Sequence, residues 1–370
     1  MSKRIVSILL ATLMMVALVL TGCGNKVQKT SNSAEGKQNK LKVGFLYVGP
    51  VSDEGWTYSH DEGRKALEKE LGVETTYVES VKEDLAEVER ICEQLISQGC
   101  NVIIGTSFGF MDGMESSSKK HPEVKYLHCS GYKTTENMSN YFGRIYQARY
   151  LSGIIAGLTT KSNVIGYAAA FPIPEVVRGI NAFTLGARSV NPKAVVKVKW
   201  TSTWYDPAKE KEAGKALVAE GADVMAQHQD TAGPAQAAEE AGGFSIGYNS
   251  DMSKKLPNSY LTSPIWHWEK YYIPQVKAIM DGTWKSSVTW KGFEEGYVDL
   301  APLTDKVPAQ AKELVEKQKA AIISGENKIF VGPIKDQSGK ERVPAGKVMA
   351  DEELLKFDWF VEGVEGKIGQ

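Results

Sequence analysis

From residue 41 onward, short apolar runs alternate with stretches whose apolar residues recur every three or four positions. "LKVGFLYV" (41–48) reads as a buried strand, and 58–71 as an amphipathic helix. "VETTYVE" predicts a second strand, and "EDLAEVERICEQLISQG" a helix closed by Gly99. "NVIIGTS" and "VKYLHCS" continue the ladder as strands. The pattern restarts at "NVIGYAAAF" (163–171), and Pro174 opens a helix. "VVKVKWTS", "DVMAQHQ", "FSIGYNSD" and "YLTSPIW" follow as strands. "EKYYIPQVKAIMDGTW" predicts a helix in which Pro274 occupies the first turn or produces a kink. Alternating strands and helices predict an α/β protein with parallel sheets that receive ligands beyond the strand C-terminal ends. The ~330 residues after position 40 exceed what one core usually spans. Two ladders therefore predict two Rossmann-like lobes with a central cleft. The expected boundaries are 41–160 plus 267–298 for lobe 1, 161–266 plus 299–325 for lobe 2, and 326–370 for a tail packing on both.

The N-terminus has a different pattern. Lys3 and Arg4 precede an apolar run (5–20) that ends in Leu20-Thr21-Gly22-Cys23, which reads as a secretory signal peptide over 1–22. Small residues before Cys23 resemble a bacterial lipobox, making Cys23 the lipidated first residue of an extracytoplasmic protein held at the cell membrane. Each buried acyl methylene contributes ~0.8 kcal/mol to such an anchor. The alternative is a buried cysteine in a short membrane anchor. Residues 24–40 are too polar to offset their ordering entropy and read as a flexible tether. A net charge of −1 supplies no basic stripe for phosphates, which argues against a nucleic-acid partner. Cys92, Cys100 and Cys129 have no C-x-x-C spacing, indicating neither a disulfide framework nor a zinc site, and read as small buried hydrophobes.

Two features bear on chemistry. Gly105-Thr106-Ser107-Phe108-Gly109 matches G-x-S-x-G, the turn of a serine hydrolase, with His121, His128, His228 and His267 as candidate bases. No glycine-rich oxyanion loop or triad order accompanies it, and no catalytic residue or cofactor is expected. The second feature is where the aromatics fall. Trp56, Phe108, Phe110, Tyr132, Trp204, Tyr205, Tyr248, Trp266 and Trp268 all follow strand C-termini. Asp53, Asp112, Asp206, Gln227, Asp230 and Asp251 are interleaved with them. Flat apolar walls with a few acceptors suit a planar heterocycle bearing N–H groups. Stacking contributes ~1–3 kcal/mol per contact, and a bond to a charged acceptor ~1.5–3 kcal/mol. Plainer roles compete: Asp206 before Pro207 and Asp53 suit helix caps. Tyr58, His60 and Asp61 suit a solvated first turn, and Trp284 and Trp290 suit packing. His228 and Asp230 form only a weak metal pair.

The stretches "SDEGWTYSHDEG", "TSFGFMD", "FPIPEVVRGINAFTLGARSVNP", "TSTWYDPAKEKEAGKAL", "GYNSDM" and "GPIKDQSGK" resemble the basic membrane protein (BMP) family of substrate-binding lipoproteins, over 41–335. The chain is similar to its purine nucleoside receptors. The resemblance implies a type I periplasmic-binding-protein fold, closure of two lobes around a purine, and delivery to the permease of an ABC importer. It puts the stacking aromatics at Trp56 and Trp204 and ligand-contacting acids at Asp251 and Asp112. The Asp-Asp and Asn that flank the first aromatic in nucleoside binders become Ser52-Asp53 and Thr57, and their "TS-x-x-Lys" lysine becomes Trp266. Replacing a sugar-binding donor by an indole implies a free purine base, adenine-like or an oxopurine, with Trp266 filling the ribose space. The expected ligand set is Trp56, Trp204, Asp251, Trp266, Phe108, Asp112, Tyr205, Asp230, Gln227 and Asp53. Nucleoside import, or a sensor lipoprotein on the same fold, are the alternative readings.

Overall fold

The computed structural model describes residues 41–369; the expected signal peptide, Cys23 and tether lie outside the described residues. The first ladder runs β1 (Lys42–Leu46), α1 (Trp56–Leu71), β2 (Glu74–Val78), α2 (Leu85–Ser97), β3 (Val102–Gly105), α3 (Met111–Lys120), β4 (Lys125–Cys129) and β5 (Met138–Gly143). After α4 (Tyr146–Thr159), the second runs β6 (Val164–Ala169), α5 (Pro174–Val190), β7 (Val195–Trp200), α6 (Pro207–Ala219), β8 (Val224–His228), α7 (Gly233–Glu240), β9 (Phe244–Ile246) and β10 (Tyr260–Thr262). Then come β11 (Pro264–Trp266), α8 (Glu269–Met280), β12 (Val288–Lys291), β13 (Val298–Leu300) and α9 (Ala309–Ile323). The chain ends with β14 (Ile334–Lys335), β15 (Glu341–Val343), α10 (Asp351–Leu354) and β16 (Val364–Glu365).

Two six-stranded sheets result, ordered β12-β5-β4-β3-β1-β2 and β10-β9-β8-β6-β7-β16, with every pairing parallel. Their central strands are buried on both faces, which is why β1 and β3 read as largely apolar runs. In each sheet the strand order reverses beside the first strand of its ladder, between β1 and β3 and between β6 and β8. Ligand crevices of such sheets open at that switch point.

Several elements depart from the sequence pattern. "YLTSPIW" divides: β10 joins the second sheet, whereas β11 pairs antiparallel with β13. Pro264 has no N–H to continue the ladder. Pro274 lies in the interior of α8, which continues through it. β5 carries the buried polar residues Ser139 and Asn140 and was not anticipated as a strand. Expected with lobe 1, α4 packs instead against α5 of the second ladder. A Cβ on Gly153 would sit 2.0 Å from the Phe183 carbonyl oxygen, so these two helices touch backbone to backbone.

The tail docks mainly on the second ladder. β16 extends the second sheet beside β7, Arg178 of α5 donates to the Leu354 carbonyl at 2.8 Å, and Trp200 donates to that of Lys367 at 2.7 Å. Arg144, where the chain leaves β5, pairs with Asp351 at 2.8 and 2.5 Å and lies 4.1 Å over Trp290. Among the described residues, no helix is long and apolar enough to cross a membrane.

Candidate functional site

A cavity opens where the two switch points face each other. The first ladder contributes Val48 and Trp56 from the β1 end, Ser107 and Phe108 from the β3 end, and Ser130 from the β4 end. The second contributes Glu175 from the first turn of α5, Trp204 after β7, His228 and Asp230 at the β8 end, and Tyr248 after β9.

Local sequence sets these positions. Asp53 caps α1 from two residues outside it, accepting from the backbone N–H groups of Gly55, Thr57 and Tyr58 at 2.8, 2.8 and 2.9 Å. Trp56 is thereby the first residue of the helix, and side chains in that position lean back over the N-terminus, here into the cleft. Its indole N–H donates to the Thr106 carbonyl at 2.7 Å. Trp266 and Trp268 meet its ring edge-on, each 5.5 Å away. On the other side, Asp206 caps α6 by accepting from Lys209 N at 3.1 Å, which fixes the turn carrying Trp204.

The lobes are in contact across the cleft. Ser130 donates to Glu175 at 2.5 Å, Ser250 donates to the Glu54 carbonyl, and Lys255 pairs with Glu54. Glu83, before α2, takes the Ser107 hydroxyl and the Gly109 N–H on one carboxylate oxygen. Its other oxygen accepts the Trp204 indole N–H at 3.1 Å. This latch also accounts for the G-x-S-x-G sequence. A Cβ on Gly109 would lie 2.6 Å from the Glu83 side chain, and one on Gly105 would lie 2.1 Å from the Met114 sulfur. His128 bonds the Ser107 carbonyl at 2.9 Å, and the Ser107 hydroxyl is bonded to Glu83 instead of an imidazole.

The cavity lining carries the carboxyls of Glu175 and Asp230 and no lysine or arginine. Burial raises the Asp230 carboxyl well above its usual range, and the nearby charges of Asp53 and Glu210 add to this. Burial likewise raises Glu175, opposed by the Ser130 bond and by Arg178. His228 is held well below the usual imidazole range by burial, with Arg149 and Arg178 nearby. It is a neutral ring. Among the described residues no group of three or more His, Cys, Asp or Glu side chains is placed to hold a metal.

Of the ten expected ligand residues, Trp56, Phe108, Trp204 and Asp230 line this cavity. The other six lie elsewhere. Trp266 stacks behind Trp56 on Trp268, with ring centres 4.5 Å apart. Gln227 is buried with its amide turned to the Thr231 carbonyl at 2.5 Å. Tyr205 is partly exposed at the rim, and Asp53 is the cap described above. Asp112 pairs with Lys133 at 2.8 Å on the surface, and Asp251 turns back to its own Ser253 N–H at 2.8 Å. His60 and Asp61, expected to be solvated, are buried. His60 stacks on Trp268 and bonds the Tyr272 hydroxyl at 2.5 Å, while Asp61 pairs with Arg64 at 2.6 Å. Glu83, Ser130 and Glu175 were not anticipated. Their parts depend on partners in distant segments, and no local spacing marks them.

Residues 40–337 match the family model of Bmp, described as ABC transporter substrate-binding protein PnrA-like. A purine-binding protein of Brucella abortus is 46% identical over 335 residues, covering 90% of this chain and 95% of its own. A Haloferax volcanii protein named for glucose binding in an ABC transporter is 38% identical over 344 residues, covering 92% and 85%. Among solved structures, an ABC transporter solute-binding protein from Aeropyrum pernix superposes with a TM-score of 0.67 at 20% identity, over 85% of this chain and 97% of that one.

Proposed function

The chain belongs to the PnrA-like family of ABC transporter substrate-binding proteins, and from that premise we propose a lipid-anchored receptor for a purine. In this reading Cys23 carries the anchor outside the cytoplasm. The lobes close on the ligand, a free nucleobase by preference, and present it to the permease of an ABC importer. The observation that carries the proposal is the pair of indoles, Trp56 and Trp204, brought from opposite lobes to one cavity. Stacking on both faces of a flat base contributes ~1–3 kcal/mol per face. The absence of lysine and arginine from the lining argues against nucleotides, whose phosphates need charged donors.

Glucose is the second reading, because one relative is named for it. A sugar presents a ring of hydroxyls, each needing a partner when buried. Here Ser107, Ser130 and both indole N–H groups already have protein partners, which favours a flat base with few polar atoms. Calorimetry with adenine, hypoxanthine, adenosine, inosine and glucose tests the proposal, together with mass spectrometry of any ligand carried through purification. Tighter binding of a free base than of its nucleoside is the expected result. Tighter nucleoside binding removes the preference for a base, and binding of glucose alone removes the purine.

A further inference from the structure

The polar atoms that face the cavity sort by elimination. Ser107, Ser130, Trp56 and Trp204 spend their hydrogens on protein acceptors. Asp230 Oδ2, His228 Nδ1 and the Tyr248 hydroxyl, all on buried residues of the lining, have no protein partner. His228 is the last residue of β8 and Asp230 lies two residues beyond it, and both line the cavity. His228 Nε2 faces the Glu175 carboxylate at 3.9 Å, which favours the tautomer with hydrogen on Nε2 and leaves Nδ1 an acceptor. A buried polar atom left without a partner costs about 1–3 kcal/mol, so these three atoms are where a ligand gains most, and Asp230 Oδ2 is the carboxylate acceptor among them.

The aim of Asp230 is set from outside the cavity. Trp266 donates its indole N–H to Asn249 Oδ1 at 2.8 Å, which fixes the orientation of the Asn249 amide. The Asn249 amide nitrogen then faces Asp230 Oδ1 at 3.4 Å, leaving Oδ2 for the cavity. A free purine carries one N–H on its five-membered ring. Glycosylation at N9 removes it.

Resting on the purine reading above, we infer that Asp230 Oδ2 takes this ring N–H, with His228 Nδ1 beside it for a second ligand donor. Trp266 is a positioning residue that acts through Asn249. The distinction between base and nucleoside is then made at a hydrogen bond, in addition to any exclusion of the sugar by volume. Within the adenine series the prediction is clean, because 9-methyladenine lacks the ring N–H yet adds only a methyl group.

The test is calorimetry of the wild type, Asp230→Ala and Trp266→Phe with adenine, 9-methyladenine and adenosine. The wild type should prefer adenine over 9-methyladenine by tenfold or more. Asp230→Ala should lose tenfold or more for adenine and bring the ratio near one. Trp266→Phe keeps an aromatic ring but no N–H and should lower the same ratio, a change that mere loosening of the wall would not produce. Because the ratio is internal to each folded protein, a drop in stability does not mimic it. Retention of the wild-type ratio and adenine affinity in Asp230→Ala overturns the inference while leaving the purine reading intact. A wild type that binds none of the three compounds overturns both.

Discussion

Gly55 is where closure is most sharply constrained. It precedes α1 with φ −120° and ψ −112°, and a Cβ there would stand 2.1 Å from the Asp230 carbonyl oxygen and 2.8 Å from its carbonyl carbon. Gly55→Ala therefore requires the lobes to part by roughly 1 Å or more before carbon and oxygen reach ordinary contact. The cross-lobe bonds Ser130–Glu175 and Trp204–Glu83 have no slack for that displacement. Each has a carboxylate acceptor and is worth about 1.5–3 kcal/mol. Losing both removes ~3–6 kcal/mol from the closed state, and since ligand is held in that state, affinity should fall about 10²–10⁴-fold. Calorimetry with adenine, beside ligand-free melting, measures this. Affinity within threefold of wild type would refute the close approach of Gly55 to Asp230. A large fall in ligand-free melting temperature would instead place the effect at the N-terminus of α1.

Four other perturbations test site and scaffold. Trp204 is partly exposed and touches Glu83 and Phe171, so Trp204→Ala should weaken ligand binding by about 10–100-fold and, through the lost Glu83 bond, cost about 1.5–3 kcal/mol in ligand-free urea unfolding. Trp56→Ala should weaken binding and also cost about 3 kcal/mol of stability, measured by urea unfolding, because Trp56 packs on Trp266, Trp268 and His60. Burial raises the Asp53 carboxyl from 3.8 to about 6, so the folded protein takes up that proton before the unfolded chain does. Stability should therefore rise by up to about 3 kcal/mol as pH falls from 7 toward 4, with Asp53→Asn flattening the urea-midpoint profile. A wild-type profile that falls over that window would contradict it. Arg144→Ala removes a bidentate pair to Asp351 and a stack on Trp290, and should lower stability by about 2 kcal/mol while releasing the 344–360 segment to proteolysis.

The ladder was legible because parallel strands covered on both faces leave largely apolar runs, as in β1 and β3. β5 was not, since its buried Ser139 and Asn140 look like loop residues until their partners are known. Ser139 accepts from Ser287 and Asn140 donates to the Ser130 carbonyl, 148 and 10 residues away. The same division holds in the site. Trp56 and Trp204 could be picked out because both follow strand C-termini, where a parallel sheet opens to its crevice. Asp112 and Asp251 share that position and still leave the cleft, because Lys133 and the Ser253 N–H offer closer partners. Glu83 was lost within a charged run. Only the folded chain brings it between Ser107 and Trp204.

Trp266 carries the argument furthest, because its position in the sequence and its physical contribution come apart. Its place in "TSPIW" suggested an indole occupying the volume of a ribose. In the fold it lies behind Trp56, and its N–H reaches Asn249. An indole in that position does two things a lysine cannot. It supports the stacking wall with an edge-to-face contact worth about 0.5–1.5 kcal/mol, and it fixes an amide whose other end touches the cavity carboxylate. Selectivity can therefore change without a new residue touching ligand, through the orientation of groups already there. Trp266→Lys should then release Asn249 and Asp230 together, and restoring a long donor alone should not recover tight nucleoside binding.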